Sequence, residues 1–306
     1  MVAEGSADHL KLFLQQKRGL GNQLFQYAAM LYFANFYRAD VEIVMEPTKQ
    51  SWSAGRPRPC LLSKFSLPVP IRRSTLRYRT ALFAAQRSLS KVFGVDHYRQ
   101  PNCDTWLFLP TLPIMSAARY VYVEGFFESY HYPNAIETTL RNDLLFKEGP
   151  IGRNLDCLSA IRNCDISVSV HLRRGDYAVE FSGENLLPVS YYRNAIEAAR
   201  ESLNPSKFFV FSDDIEFART HLGSDEDMVF VDHNGEAEAH EDLRLMAACD
   251  HHIIANSTFS WWGAWLNPSK EKLVFAPDRW RKHNYPREPE IIPPNWIRIP
   301  VDATVV

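Results

Sequence analysis

ISVSVHLRRGDY, residues 166–177, is an apolar alternation that runs without a break into a cluster of charge. Residues 166–171 read as a buried strand, and the arginines and aspartate follow at its carboxyl end. Outward from it the pattern repeats. Residues 207–212, 228–231, 252–255 and 273–276 are further short apolar runs, and helical periodicity occupies 189–202, 215–221, 238–248 and 259–266. Strands alternating with helices give a parallel sheet covered on both faces, a doubly wound α/β unit. Ligands of such sheets lie beyond the carboxyl ends of the strands, so the loops after His171, Ser212 and Ala255 are expected to line one crevice.

The amino-terminal half opens similarly, with a strand at 10–14, a glycine-bearing turn at 18–21, a helix over 22–37 and a strand at 41–44. The proline-rich stretch 47–70 reads as loop. A chain of 306 residues exceeds what one core usually supports. Two domains are expected, 1–155 and 156–306. With 46% apolar residues, 23% charged residues and a formal charge of -2, nothing global points to nucleic acid or to an acidic partner. The five cysteines show no CxxC pair and no zinc spacing, which fits a reducing compartment. No apolar run approaches 18 residues and the first residues lack a secretory pattern. A cytoplasmic protein is expected.

Four constellations carry chemistry. In the first, His171, Arg173, Arg174 and Asp176 sit at a strand end, where an arginine pair can grip a diphosphate and offset charge as a bond to it breaks. Asp176 and Glu180 are placed to move a proton there. The competing reading is a surface salt-bridge cluster. The Arg174-Gly175-Asp176 tripeptide follows a core strand rather than tipping a loop, which excludes an adhesion motif. In the second, Asn256, Ser257, Thr258, Phe259 and Ser260 start a helix, whose backbone N–H groups form a ready anion site. Trp261, Trp262 and Trp265 read as core beneath it.

The third is the turn from Gly19 to Gly21 with Asn22 and Gln23, which lets a phosphate or sugar approach the backbone. Leu24 stands where the dinucleotide fingerprint needs glycine, so no NAD site is expected. The fourth is Asp213-Asp214 after Phe211-Ser212, suited to a metal ion, to a ribose or base edge, or to helix capping. Adjacent rather than alternating acids, with arginines at hand for phosphate, favour the last two over metal.

GLGNQLFQYA (19–28), YVEGFFESYHYPN (122–134), HLRRGDY (171–177), FVFSDD (209–214) and NSTFSWWGAWLNP (256–268), in this order, resemble glycosyltransferase family 11, the α-1,2-fucosyltransferases. The resemblance implies two facing Rossmann-like domains (the GT-B arrangement), with the acceptor on the amino-terminal side and the donor on the carboxyl-terminal side. It implies GDP-β-L-fucose as donor, no required metal or other cofactor, and inversion to an α-1,2 linkage on a galactoside such as lactose or a lipid-linked glycan. Carried over by residue, Arg173 meets the β-phosphate, flanked by His171 and Arg174, and Ser257, Thr258, Phe259 and Ser260 close the phosphate site. Asp213 reaches the guanosine, and Asn22 and Gln23 face donor or acceptor across the cleft. Asp176 is the expected base, with Glu180 the alternative. Arg18 departs from the family, which usually has glycine there. Rival readings are a fucosyltransferase of another linkage and a non-catalytic nucleotide- or glycan-binding protein.

Residues 51–100 hold ten Lys or Arg and one acid, Asp96, a local charge of +9 that leaves -11 for the rest. On a helical projection Arg73, Arg77, Arg87 and Lys91 oppose Tyr78, Leu82, Ala85, Leu89, Val92 and Phe93. Residues 71–93 therefore read as a basic amphipathic helix, either lying on an anionic membrane or turning a solvated face outward from a core.

Overall fold

The computed structural model describes residues 10–45, 52–53, 56–57, 59–73, 94–102, 105–174, 185–223, 225–281 and 289–301. Strand β1 (Lys11–Gln15) buries Leu12 and Leu14 and turns Lys11, Phe13 and Gln15 to the other face. Helix α1 (Leu20–Tyr37) follows, two residues earlier than the periodicity suggests. Gly19, extended at φ -75 and ψ 174, is its N-cap, so Gly21 falls inside the first turn rather than before it. The helix stops at Arg38, which adopts the left-handed conformation and donates its N–H to Ala34 O.

Next come β2 (Asp40–Met45), the short hairpin strands β3 (Trp52–Ser53) and β4 (Arg56–Pro57), β5 (Ile71–Arg73), β6 (Val95–Arg99) and β7 (Tyr120–Glu124). Five of these form a parallel sheet in the order β5-β2-β1-β7-β6. The edge strands β5 and β6 carry charges, IRR and VDHYR, which disguises them in an apolar-run reading. Helices α2 (His131–Ala135), α3 (Glu137–Asp143) and α4 (Arg153–Arg162) lead to the second sheet.

That sheet comprises β8 (Ser167–Leu172), β9 (Lys207–Ser212), β10 (Met228–Val231), β11 (His251–Ile253), β12 (Val274–Pro277) and β13 (Ile297–Ile299). All pairings are parallel and the order is β10-β9-β8-β11-β12-β13. This is the dinucleotide-fold order, with the direction of winding reversing between β8 and β11. Helices α5 (Val189–Leu203), α6 (Ile215–Leu222), α7 (Ala239–Ala248) and α8 (Thr258–Leu266) supply crossovers. Val168, Val170, Leu172, Phe208 and Val210 pack with α5 in one core, whereas Phe209 and Phe211 join a larger core that includes α7, α8 and the amino-terminal sheet.

Helix α8 is where the two sheets' layers meet. The Phe25 ring of α1 lies 4.6 Å from Trp261 and 5.1 Å from Trp262. All three side chains are fully buried, each contributing roughly 1.5–3 kcal/mol of transfer free energy. The tryptophans are core, as their composition suggests. A Cβ on Gly21 would lie 2.5 Å from Phe259 N and 2.5 Å from Thr258 C, so only glycine permits α1 to enter this close. At the other end of α8, Arg141 of α3 donates to Leu266 O at 3.1 Å and Trp265 O at 3.0 Å, and its guanidinium lies 4.5 Å from the Trp265 ring centroid. No helix among the described residues is long and apolar enough to cross a membrane.

Candidate active site

At the reversal point of the second sheet, β8 ends in His171 and Leu172 and delivers Arg173 and Arg174 beside the end of β9. Arg173 Nη1 pairs with Asp213 Oδ2 at 2.9 Å, and the other Asp213 oxygen accepts from the Arg174 backbone N–H at 2.8 Å. Arg174 Nε pairs with Asp214 Oδ2 at 3.1 Å, while its guanidinium lies 3.5 Å from the Phe217 ring centroid. Asp214 also caps α6 by accepting from Phe217 N–H at 3.2 Å. The adjacent acids are thus engaged with arginines and a helix end. Each arginine is held by a carboxylate and is partly exposed.

His171 is 4% exposed, and among the described residues its Nδ1 has no hydrogen-bond partner. Burial first, then the Arg173 charge, lower its pKa to about 4, against the opposing pull of Asp213. The ring is therefore neutral at ordinary pH. It lies 5.6 Å from the Phe259 ring, which ties the end of β8 to the start of α8.

Ser257 is the α8 N-cap, its hydroxyl accepting from Phe259 N–H at 3.3 Å and its carbonyl from Trp261 N–H and the Ser260 hydroxyl. Thr258 Oγ1 donates to Asn22 Oδ1 at 2.9 Å, so Asn22 meets the facing helix turn directly. Asn256 is 4% exposed and turned inward, its Nδ2 donating to Asn185 O and Trp280 O. Gln23 is also turned inward. Its Nε2 donates to Arg18 O and Pro59 O and its Oε1 accepts from Leu61 N–H, so its amide ties the first loop to the 59–61 stretch. Gly19 accepts from Gln23 N–H and shapes the entry to α1. Arg18 sits at φ 66, the left-handed region, which gives the physical reason a glycine suits that position. Asp176 and Glu180 lie outside the described residues, as does 74–93 of the amphipathic helix expected over 71–93, whose first three residues are instead the edge strand β5.

The opposite wall is the reversal point of the first sheet, between β1 and β7, formed by the 122–134 stretch that carries the resemblance but to whose acids the sequence assigns no role. Glu124, at the end of β7, pairs with Lys17 and lies 3.6 Å from His97 Nε2 and 3.9 Å from Arg99 Nε. Beyond it, Gln100 Oε1 accepts from the N–H groups of Phe126 and Phe127, both at 2.9 Å, and Phe127 is left-handed at φ 53. A Cβ on Gly125 would meet Gln100 Cβ at 2.6 Å, so this loop needs its glycine. The bend presents Glu128, 6% exposed, to Trp106 Nε1, which donates at 2.6 Å. Burial raises the Glu128 pKa to about 7, against Arg281, Trp106 and Arg18, which lower it. The signal in the sequence was a pair of acids, Glu124 and Glu128, inside an aromatic stretch that follows an alternating strand.

Compared with known proteins, the chain matches the profile of Glycosyl transferase family 11 over residues 62–300. It is 38% identical to the Escherichia coli alpha-1,2-colitosyltransferase over 49% of this chain and 54% of that protein, about half of each. It is 28% identical to the Escherichia coli O-antigen biosynthesis glycosyltransferase WbnK over 92% of this chain and 98% of that one. Among solved structures, NodZ alpha-1,6-fucosyltransferase soaked with GDP-fucose superposes with a TM-score of 0.57, at 15% identity, over 88% of this chain and 95% of that one. The likeness is one of fold, two facing Rossmann-like units in the GT-B arrangement.

Proposed function

This chain belongs to glycosyl transferase family 11, and we propose that it transfers L-fucose from GDP-β-L-fucose to the 2-hydroxyl of a terminal β-galactoside, with inversion. The observation that carries the reading is the Arg173–Asp213 and Arg174–Asp214 pairs set opposite the capped start of α8 at the reversal point of the second sheet. A diphosphate placed there meets two guanidinium groups and the amino end of a helix anchored at both ends. The charge that develops on the leaving diphosphate is then met without reorganisation, the work that a metal ion performs elsewhere. The Nδ1 of a neutral His171, which has no partner among the described residues, gains one when a donor oxygen arrives. Asp213 holds the Arg173 guanidinium and the Arg174 backbone N–H, and stands at the edge where the nucleoside would lie. In the facing unit, Asn22, already bonded to Thr258, lines the acceptor side.

Displacement proceeds in one step. The galactoside oxygen bonds to the anomeric carbon from the face opposite GDP, and the carbon–oxygen bond to the β-phosphate breaks with its electron pair leaving on the diphosphate. GDP release from GDP-fucose, stimulated by lactose, persisting in excess EDTA and lost in Arg173→Ala, is the expected result. The match to the colitosyltransferase supports a second donor, a colitosyl nucleotide. Turnover with the colitosyl donor alone would select it. GDP binding without turnover of either donor would select a binding protein.

A further inference from the structure

The amino-terminal wall of the cleft holds a carboxylate that donor binding leaves without a task. Glu128 is nearly inaccessible, yet its surroundings are polar and come from both halves of the chain. Trp106 donates to one of its oxygens, and the Trp106 ring in turn lies 5.0 Å from the Arg281 guanidinium. Arg281 follows Trp280, whose carbonyl is held by Asn256 immediately before the α8 cap. Arg18, the second cation whose charge reaches Glu128, immediately precedes the α1 cap. The carboxyl is thus linked through Arg18 and Arg281 to the loops after β1 and β12, which neighbour the two helix starts that touch through Asn22 and Thr258. A short span of unfavourable backbone puts it there. Gln100 pins Phe126 and Phe127, and Phe127 is forced into a conformation that bulky residues avoid. Strain of this kind persists where surrounding contacts over-determine it, and it gathers at working sites.

We propose that Glu128 is the catalytic base, the group that takes the proton from the acceptor hydroxyl. The proposal rests on the transfer reaction above. As the acceptor oxygen bonds to the anomeric carbon, its proton passes to a Glu128 oxygen and the electron pair of the broken carbon–oxygen bond leaves on GDP. Burial favours this role, because a carboxyl poised near pH 7 is basic enough to accept a proton and still substantially ionised. The charged groups facing it are Arg281 and Arg18, both of which favour the ionised form, as does the Trp106 N–H. Glu290, in the neighbouring carboxyl-terminal stretch, is engaged with Phe108 N–H at 2.5 Å.

The test uses the full chain. Glu128→Gln retains an oxygen to accept from Trp106 but cannot take a proton. Expected are a fall of about 10²–10⁴-fold in kcat, an unchanged Kd for GDP, and loss of the acidic limb of the pH–rate profile near pH 7. Glu128→Asp is expected to recover part of the rate with a shifted limb, which a packing role would not produce. Trp106→Phe removes the hydrogen bond that favours ionisation, so the limb moves to higher pH. A Glu128→Gln rate within about threefold of the parent, or an acidic limb intact in that variant, overturns the proposal. Difference infrared spectra between parent and Glu128→Gln follow this carboxyl without turnover. Were the parent inactive with GDP-fucose, the donor reading would fail on its own, and a carboxyl ionised throughout pH 5.5–8 in those spectra would overturn the role of Glu128 separately.

Discussion

The two reversal points that face each other across the cleft carry opposite chemistry in opposite settings. At the ends of β8 and β9 the charges are partly open, with Arg173 and Asp213 at 17% and 25% side-chain exposure, and each cation has its own carboxylate. At the ends of β1 and β7 the carboxylates are closed in, Glu124 at 2% and Glu128 at 6%. A partly open, balanced pair can exchange a partner for an incoming anion, since the anion replaces the carboxylate that it displaces. A closed carboxylate cannot, and its environment shows instead as an altered affinity for a proton. On the proposed reading, the difference assigns anion binding to one wall and proton handling to the other.

The sharpest way to break this contrast is to remove the open wall's cation. Arg173→Ala should lower kcat/KM by about 10³-fold, in the range seen when a group that meets developing charge is deleted. Melting temperature should fall as well, because the pair is mostly buried and the substitution leaves Asp213 without that cation. A variant with near-normal kcat/KM would dissociate the open wall from the donor phosphates.

Next in size is the contact that joins the walls. Gly21→Ala places a methyl 2.5 Å from backbone atoms of Thr258 and Phe259, which cannot rotate away. Helices α1 and α8 must separate, at a cost of about 3 kcal/mol or more. Calorimetry should show a lower melting temperature, with GDP affinity weakened as the α8 start shifts. An unaffected melting temperature would mean that the two walls are not held in register by this approach.

The closed wall is sharpened by a stability measurement. Glu128 has a folded-state pKa raised to about 7, above its ordinary value of 4.5. The folded state therefore favours the protonated form. Stability from this group is fully present below pH 4.5 and lost as pH rises toward 7. Glu128→Gln removes that loss, so the variant should be more stable than the parent at pH 8, by up to about 3 kcal/mol, and equal to it at pH 4. Chemical denaturation at the two pH values checks this. A variant destabilised at pH 8 would show that Glu128 acts as an ionised structural tie.

The contrast also explains what the sequence could and could not disclose. Strands β8, β9 and β12 are legible because both faces of a parallel sheet are covered, leaving continuous apolar runs between helices. Edge strands β5 and β6 are not, since one side meets solvent and their charges break the run. The arginines of the open wall follow directly in sequence from a core strand, so their placement was readable. Asn256 and Gln23 were readable as polar groups near a site, but not as groups bonded inward to Trp280 and Pro59, because those partners are brought by the fold. Glu128 escaped for a related reason. Its environment is made by Trp106 and by arginines 18 and 281, distant from it in the chain, and only assembly shows that a carboxylate is closed in by them.

The smallest expected effect tests the closed wall from its rim. Arg18 carries left-handed backbone, a strain that glycine lacks, whereas glycine adds freedom to the unfolded chain. The two terms oppose each other, so Arg18→Gly should alter stability by less than about 1 kcal/mol. Its charge, however, is one of those that favour ionised Glu128, and it ranks behind Arg281 in that respect. Removing it should move the acidic limb of the rate profile to slightly higher pH, and Arg281→Gln should move it further in the same direction. The direction follows from losing a cation beside a carboxylate, which makes the proton harder to release. Rate profiles of the two variants side by side check the order. A limb that shifts with neither belongs to a carboxyl elsewhere, and Asp176, the base expected from the sequence, would then be the first to substitute.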